Sequence, residues 1–257
     1  MSQPAPIAVQ LYSLRDAAAD DLPGVLEQVA RAGFLGVEHA SLHGHAPSDV
    51  RRWAADLGLA GVGVHRRVPP GSDGERILDE VAELGLDTVI VPWVEPERFA
   101  TDGSVSQLAD ELRAGQAQAA ARGIRLGYHN HEFEPVTGAD GTTWLERLFE
   151  LAGPEVIAEV DIYWATLAGA EPAELVRRLG DRVRLLHVKD GPADPRHRDA
   201  PQVPAGSGRV DVAGAIAAGT AVEWHVVEFD WCAGDMLEAL GRSARYLVDR
   251  GLSRGRG

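Results

Sequence analysis

The chain alternates short apolar runs, rich in Val, Ile and Leu, with longer stretches of helical period, and this alternation constrains its fold more than any other feature. Buried parallel strands have the composition of such runs, and the helical stretches supply crossover connections between them. Eight runs are predicted strands: 7–12, 36–39, 61–65, 88–91, 125–129, 156–160, 183–188 and 222–228. The predicted helices are 22–32, 48–57, 74–84, 105–122, 142–151, 172–179, 212–217 and 233–250.

Four joints between these segments share one form, in which a helix ends at a glycine and an apolar strand follows (Gly33, Gly58, Gly85 and Gly123). Glycine tolerates the left-handed conformation that closes a helix into a short turn. Eight β/α pairs in about 250 residues predict the α/β class and a (β/α)8 TIM barrel. We expect a single domain over residues 1–252 and a disordered tail over residues 253–257.

A doubly wound open sheet is the alternative fold for such an alternation. It usually carries a glycine-rich phosphate-binding turn after the first strand. The corresponding segment here, Gln10-Leu11-Tyr12-Ser13-Leu14-Arg15, contains no glycine. The sequence therefore favours the closed barrel.

Charge and composition restrict the partners. The formal net charge of -14 repels nucleic-acid phosphates and anionic membrane surfaces, so neither is a predicted partner. Cys232 is the one cysteine of the sequence, so an internal disulfide is excluded. The first residues lack the basic-then-apolar pattern of a signal peptide, and no apolar run approaches membrane-spanning length. We expect a cytoplasmic protein.

Residues with metal-binding side chains stand where the predicted strands end. Asp161 and Glu228 each follow an apolar run, and His187 lies near the end of another. In a parallel barrel the strand ends meet at one rim, so these side chains are expected to converge. Oxygen and imidazole groups that meet there predict a site for a divalent cation. Polar residues at strand ends are also common simply because loops are solvated.

The segment after the fifth strand, His129-Asn130-His131-Glu132-Phe133-Glu134, is the densest group of such residues. Side chains alternate along a strand, so His129 and His131 share one face and Asn130 and Glu132 share the other. Not all of these residues can reach one metal ion. The predicted ligand from this segment is Glu134, with His131 as the alternative, and the remainder would orient substrate or support the ligands.

Other residues at the predicted rim are candidates for binding substrate. Lys189 shares a face with His187 and would polarise a substrate oxygen, or else form an ordinary salt bridge. Glu38 and His65 end the second and third strands and would bond hydroxyl groups, or else be structural. Trp164 follows the sixth strand and would pack on a substrate ring or close the core. The long segment 190–209 contains Gly206-Ser207-Gly208, whose N–H groups would suit a phosphate.

Five segments, spread in order over nearly the whole chain, resemble the sugar phosphate isomerase/epimerase family, the xylose-isomerase-like TIM barrels. They are Val9-Gln10-Leu11-Tyr12-Ser13, Tyr128-His129-Asn130-His131 with Phe133-Glu134, Glu159-Val160-Asp161-Ile162-Tyr163-Trp164, Leu186-His187-Val188-Lys189-Asp190 and Val227-Glu228. The resemblance implies one divalent cation (Mn, Mg, Co or Zn) held by Glu134, Asp161, His187 and Glu228. It also implies a small sugar substrate and is compatible with a homodimer. Many relatives carry Gly-Glu-Gly where this chain has Gly206-Ser207-Gly208.

The activity that the resemblance implies is a metal-dependent isomerase or epimerase that acts on a keto sugar or sugar phosphate through an enediolate. Glu134 and Glu228 would then remove and return the proton next to the carbonyl. The alternative is a lyase of the inosose dehydratase or 3-keto-glycoside type, in which His131, His65 or Lys189 serves as the acid.

Two further classes are rivals. Endonuclease IV shares this barrel, but its chemistry needs a trinuclear zinc site and a basic DNA-binding face, which a net charge of -14 disfavours. A sugar sensor that retains the pocket would be non-catalytic.

Overall fold

The computed structural model describes residues 3–136, 138 and 141–256, and within them eight parallel strands pair in chain order and close into a barrel. The strands are Ile7–Gln10 (β1), Gly36–His39 (β2), Ala60–His65 (β3), Thr88–Val91 (β4), Arg125–His129 (β5), Ile157–Asp161 (β6), Val183–Val188 (β7) and Trp224–Val227 (β8). Strand β8 pairs with both β7 and β1, so the sheet has no free edge. The predicted TIM barrel is confirmed.

Helices surround the barrel. In the described part of the chain they are Arg15–Arg31 (α1), Pro47–Asp56 (α2), Ser72–Glu83 (α3), Asp102–Ala120 (α4), Trp144–Ala152 (α5), Ile162–Leu167 (α6), Pro172–Leu179 (α7), Val212–Ala218 (α8) and Met236–Asp249 (α9). Within those same residues, none of the helices has both the length and the apolar character needed to cross a bilayer. The large apolar core lies between these helices and the outer face of the sheet.

Several elements differ from the prediction in their bounds, and two of these differences have local reasons. The first strand ends at Gln10 instead of Tyr12, because the Gln10 side chain accepts a hydrogen bond from the Tyr12 N–H and starts a 3-10 turn. Helix α6 was not predicted, because it begins directly after β6 with no intervening loop. Its N-cap is Asp161, whose Oδ1 accepts a 2.9 Å bond from the Trp164 N–H.

The barrel interior is apolar at one end and polar at the other. Alternate residues of each strand point inward, so successive inward residues form layers. The layer nearer the amino ends of the strands is a small apolar cluster formed by Ala8, Val62, Ile90, Ile157, Leu185 and Val226. Two residues after Ala8, Ile157, Leu185 and Val226, towards the carboxyl ends of the strands, lie the polar or titratable residues Gln10, Glu159, His187 and Glu228. This end is where a TIM barrel has its active site.

Residues 253–256, for which the sequence predicted a disordered tail, pack against the opposite end of the barrel. The Ile7 N–H donates to the Arg254 carbonyl at 2.9 Å, and Ser253 is buried beside His225. The guanidinium of Arg256 bonds the carbonyls of Leu57 and Gly58 that follow α2. A basic side chain at the carboxyl end of a helix satisfies unpaired carbonyls, which a composition-based prediction of disorder overlooks. Gly257 lies outside the described residues.

Candidate metal centre

Strands β5 to β8 bring their inward-facing polar side chains to matching heights. In the strand register His129 of β5 stands opposite Glu159 of β6, and Asp161 stands opposite His187 of β7. Glu228 follows β8, and its N–H donates to the Val188 carbonyl of β7. Four neighbouring strands therefore deliver carboxylates and imidazoles to the open end of the barrel.

Four of these side chains form a compact group. One nitrogen or oxygen atom from each of His129, Asp161, His187 and Glu228 lies within 4.8 Å of the others, and all four residues are buried. The closest contact joins His187 Nδ1 to Glu228 Oε2 at 3.0 Å. We call these four residues the upper group. Three of them, Asp161, His187 and Glu228, belong to the predicted ligand set.

A second layer of polar side chains, formed by Glu38, Glu159 and His65, lies directly beneath, and we call it the lower layer. Glu159 Oε2 is 3.0 Å from His129 Nδ1 and 2.8 Å from His65 Nε2. Glu38 Oε2 is 2.8 Å from His187 Nε2 and also accepts a 2.7 Å bond from Gln10 Nε2. Both carboxylates are fully buried, so the charge of each is balanced mainly by the imidazoles around it.

Lys189 is the buried cation beside the upper group. Its Nζ lies 3.2 Å from Asp161 Oδ2, 2.8 Å from Glu228 Oε2 and 2.9 Å from Asp230 Oδ2. Burial opposes its charge, but the three carboxylates outweigh burial and raise the pKa of Lys189 well above its usual value. The ammonium also lies 5.0 Å from the ring centroid of Trp164. Lys189 is therefore more than a salt bridge at the rim, because it neutralises charge inside the site.

A pocket of about 280 Å³ opens above these groups. Lys189, Glu228 and Asp230 line one side, and other parts of its wall come from His65, His129, His131, Tyr12, Pro92 and Trp93. The side chains of Tyr12 and Trp93 are about two-fifths exposed, at 42% and 41%. A pocket this small, with convergent polar groups and aromatic rings, suits a sugar-sized molecule.

The protonation states follow from burial and neighbouring charge. Burial raises the pKa of Asp161 to about 6, against the opposing effect of Lys189. Burial alone would lower the pKa of His65, but Glu38 and Glu159 overcome it and raise that pKa to about 10. Burial, together with the nearby Lys189 charge, lowers the pKa of His131 to about 4. At neutral pH His65 is therefore a cation and His131 is a neutral imidazole.

The upper group suits a divalent cation by its chemistry. Asp161 Oδ2 is buried and receives no hydrogen bond from any described residue, although Lys189 Nζ is 3.2 Å away. Buried carboxylate oxygens without donors are costly unless a cation is near. Two imidazoles and two carboxylates make a mixed nitrogen and oxygen set, which suits Mn, Co or Zn better than Mg, since Mg prefers oxygen ligands.

The structure does not bring Glu134, the ligand predicted from the fifth strand, into the upper group. Glu134 is fully buried and accepts hydrogen bonds from the Tyr128 hydroxyl at 2.8 Å and from the His131 N–H at 2.9 Å. The side chain of Tyr128 points to the helix layer, because successive side chains of a strand face opposite sides and that of His129 faces the barrel interior. Glu134 follows a turn after the strand, so its carboxylate folds back outside the barrel.

His129 occupies the position that the prediction gave to Glu134. The signal was available, since His129 lies inside the predicted strand and on the inward face. Glu159 was also missed, although it precedes Asp161 by two residues and so shares its face. Its placement inside an otherwise apolar run, two residues before a candidate ligand, is the feature that identifies it.

The remaining predicted site residues have distinct places. His131, the alternative ligand, lines the pocket but is not in the upper group. His65 lines the pocket and also joins the lower layer, whereas Glu38 lies entirely in that layer. Trp164 is buried beneath the rim, with its ring stacked on that of His131 at a centroid distance of 5.8 Å.

The Gly206-Ser207-Gly208 segment binds a carboxylate of the protein itself, that of Asp190. Asp190 accepts hydrogen bonds from the N–H groups of Gly206, Gly208, Val210 and Gly191, at 2.8–3.1 Å. This carboxylate takes the place that the sequence suggested for a phosphate. The same long loop supplies Gln202, whose amide bonds Asp230 Oδ2 at 2.7 Å. The loop is therefore fastened to the rim next to Lys189.

Comparison with known proteins gives two curated relatives. A 3-dehydroshikimate dehydratase of Pseudomonas aeruginosa is 32% identical over 192 residues, which are 66% of this chain and 29% of the relative. An inosose dehydratase of Geobacillus kaustophilus is 26% identical over 209 residues, which are 66% of this chain and 65% of the relative. The matched region thus spans less than two thirds of either relative.

The structural comparison agrees on the fold. A solved structure described as a sugar phosphate isomerase/epimerase from Parabacteroides distasonis superposes with a TM-score of 0.81 at 21% identity, covering 96% of this chain and 99% of that one. The family described as "Xylose isomerase-like TIM barrel" matches residues 26–218, three quarters of the sequence. With the closed barrel and the residues at its rim, this match shows that the chain belongs to the xylose isomerase-like TIM barrel family.

Proposed function

We propose that this protein is a divalent-metal-dependent lyase. It would remove the proton next to the carbonyl of a keto sugar or a related cyclic keto-polyol, and expel an oxygen substituent from the β-carbon. The observation that carries the proposal is the asymmetry of the pocket, in which carboxylates come from β8 and imidazoles from β3 and β5. Glu134, which an epimerase would need as a second base across the substrate, is bonded to Tyr128 instead.

The residues that would hold the cation are His129, Asp161, His187 and Glu228. When bound, the cation would supply a Lewis acid that stabilises negative charge on the carbonyl oxygen of the substrate. Lys189 would offset part of the charge of Asp161 and Glu228 and hold these carboxylates in position.

Glu228 is the proposed base. Its carboxylate lines the pocket, and Lys189 Nζ lies 2.8 Å from its Oε2. It would accept the α-proton while the electrons of the C–H bond pass into the enolate. The carbonyl would form again as the bond from the β-carbon to oxygen breaks, which gives a carbon–carbon double bond.

His65 is the proposed acid. It lines the pocket on the imidazole side, and its Nε2 lies 2.8 Å from Glu159 and 3.2 Å from Glu38, which favour the imidazolium. It would give a proton to the departing oxygen, so that water or an alcohol leaves. The neutral imidazole of His131 would hydrogen-bond a substrate hydroxyl. Solvent would carry the proton from Glu228 back to His65 and complete the cycle.

Two findings support an elimination over an isomerisation. Both reported curated relatives carry the names of dehydratases. An epimerase must also return a proton to the opposite face of the same carbon, and the carboxylates among the described residues that line the pocket, Glu228 and Asp230, both follow β8. An isomerase or epimerase remains the second candidate, because it would use the same enolate and the same cation.

One experiment distinguishes the candidates. The protein is stripped of metal, reloaded with Mn²⁺, Co²⁺ or Zn²⁺, and incubated in deuterated water with 3-dehydroshikimate, inosose, 3-keto-glucosides and ketohexoses. A lyase releases water or the aglycone from one of the first three, which NMR detects. Deuterium at the α-carbon without any loss of water or aglycone would instead establish the isomerase or epimerase. Failure of every substrate with every metal would contradict both.

A further inference from the structure

The lower layer presents two carboxylates to the two imidazoles in the upper group. Glu159 Oε2 is 3.0 Å from Nδ1 of His129, and Glu38 Oε2 is 2.8 Å from Nε2 of His187. These contacts use different ring nitrogens. For His129 the nitrogen left over is Nε2, whereas for His187 it is Nδ1, which lies 3.0 Å from Glu228 Oε2.

A neutral imidazole carries its proton on one nitrogen and its free lone pair on the other. With a cation bound each ring would be neutral, and the carboxylate below would keep the proton on the nearer nitrogen and leave the lone pair of the opposite nitrogen towards the upper group. Glu159 Oε2 also lies 3.3 Å from His187 Nε2, so this carboxylate reaches both rings through opposite nitrogens. Glu38 is the nearer partner of His187, at 2.8 Å.

The layer is built around these contacts. Both carboxylates are buried, and their Oε1 atoms have no hydrogen-bond donor within the residues that the structure describes. A buried charge is costly unless it is paired. Apart from the Gln10 amide on Glu38, the partners of these carboxylates are imidazoles, and His65 Nε2 joins the two at 2.8 and 3.2 Å. Gly63 also leaves room for Glu38, since a Cβ there would lie 3.2 Å from Oε1.

We propose that Glu159 and Glu38 are positioning residues for the cation. They set the protonated nitrogen and the ring orientation of His129 and His187, and they act through these rings without touching substrate. This inference rests on the proposed metal site, but not on whether the enzyme is a lyase or an epimerase. Carboxylates placed behind metal-binding histidines typically contribute about 10- to 100-fold to metal affinity.

The test measures cation binding and needs no substrate. Apo protein is titrated calorimetrically with Mn²⁺ or Co²⁺ for the wild type and for the separate variants Glu159→Gln and Glu38→Gln. Glutamine keeps the size of the side chain but removes the charge. Its NH2 group can also donate a hydrogen bond to the ring nitrogen that should itself carry the proton. Each variant should bind the cation about 10- to 100-fold more weakly. Because Glu38 contacts His187 and Glu159 contacts both rings, either variant remains informative if the other fails to fold.

The matched control is Glu134→Gln. Glu134 is an equally buried glutamate near the same rim, but its contacts are Tyr128 and the His131 N–H. Its replacement should leave cation affinity within about twofold of the wild type. Circular dichroism of each apo variant verifies the fold, so that a loss of affinity is not a loss of structure.

The outcomes separate the two claims. A wild type that binds one cation per chain, with Glu159→Gln and Glu38→Gln binding equally well, would overturn the positioning role and leave the proposed function intact. A wild type that binds no cation would overturn both. Two cations per chain would also overturn the positioning role, since His65, His129, Glu159 and His187 place ligand atoms within 4.8 Å of one another and would then hold the second ion.

Discussion

Replacing Glu134 by glutamine should make the stability of the fold less dependent on pH. Burial raises the pKa of the Glu134 carboxyl from 4.5 to about 8, although hydrogen bonds from Tyr128 and the His131 N–H oppose the shift. The folded protein thus keeps a proton that the unfolded chain releases at lower pH. The stability that this group contributes is complete below about pH 4.5, and it is lost as pH rises towards 8.

The magnitude follows from the same two values. Each pH unit between the unfolded and folded pKa costs about 1.4 kcal/mol of unfolding free energy. From pH 5 to pH 7 the wild type should therefore lose about 2–3 kcal/mol through this one carboxyl. A folded pKa one unit lower or higher than about 8 changes that figure little, because it would still lie at or above the end of the interval.

Glutamine is neutral at every pH, and its amide retains both contacts if the Tyr128 hydroxyl rotates to become the acceptor. The assay is urea denaturation of the metal-free wild type and Glu134→Gln at half-unit steps from pH 5 to pH 8. Other titrating groups affect both proteins equally, so the difference between the two curves isolates Glu134. The unfolding free energy of the variant minus that of the wild type should increase by about 2–3 kcal/mol from pH 5 to pH 7.

Parallel curves would refute the reasoning, because they would mean that the carboxyl ionises in the folded state as readily as in the unfolded chain. The exposed Glu97 provides a control for the loss of one acidic group. Glu97→Gln should give a curve parallel to that of the wild type across the same range.

Four further outcomes are expected. Glu228→Gln should reduce turnover of the substrate that the deuterium experiment identifies by about 10²- to 10⁴-fold in steady-state assays, and unchanged turnover would exclude Glu228 as the base. His65→Gln should slow release of the leaving group while exchange of the α-proton with deuterated water persists, and equal loss of both rates would contradict its role as acid. Asp190→Ala, which leaves the N–H groups of its loop unpaired, should cost about 1–3 kcal/mol in urea denaturation, whereas a neutral effect would show that the loop holds without it. Chelation should abolish activity, and restoring a cation at 100 times its dissociation constant should add about 2.7 kcal/mol of stability in a thermal scan, unless the upper group binds no metal.

The strands could be predicted because a barrel strand is buried on both faces and therefore appears as an apolar run. Asp161, His187 and Glu228 could be predicted for a related reason. Each lies at the end of such a run, where the inward parity is fixed by the residues that precede it. The register of the barrel then sets their heights, as in the pairing of Asp161 with His187.

The fifth strand could not be interpreted in the same way, because its polar residues continue past the point where the strand ends. The alternation of side-chain direction does not continue beyond His131, because the chain turns there and Glu134 folds back onto Tyr128. The position of that side chain depends on which hydrogen-bond donors the turn brings near, and this is a tertiary property. Glu159 was missed for a different reason: its spacing from Asp161 marks it in the sequence, but the imidazoles that compensate its charge come from other strands.

The residue at the end of β5 determines the chemistry available to the pocket. A carboxylate there would face the substrate from a strand three positions around the barrel from β8, and would give a second base opposite Glu228. This chain has His129 at that position, and Glu159 fixes its Nδ1 from below. Nε2 would then be the nitrogen left for the cation, and the ring would have no free nitrogen with which to move a substrate proton. The proposed base Glu228 and the proposed acid His65 would remain, a pair that would be sufficient for an elimination but not for inversion at a single carbon.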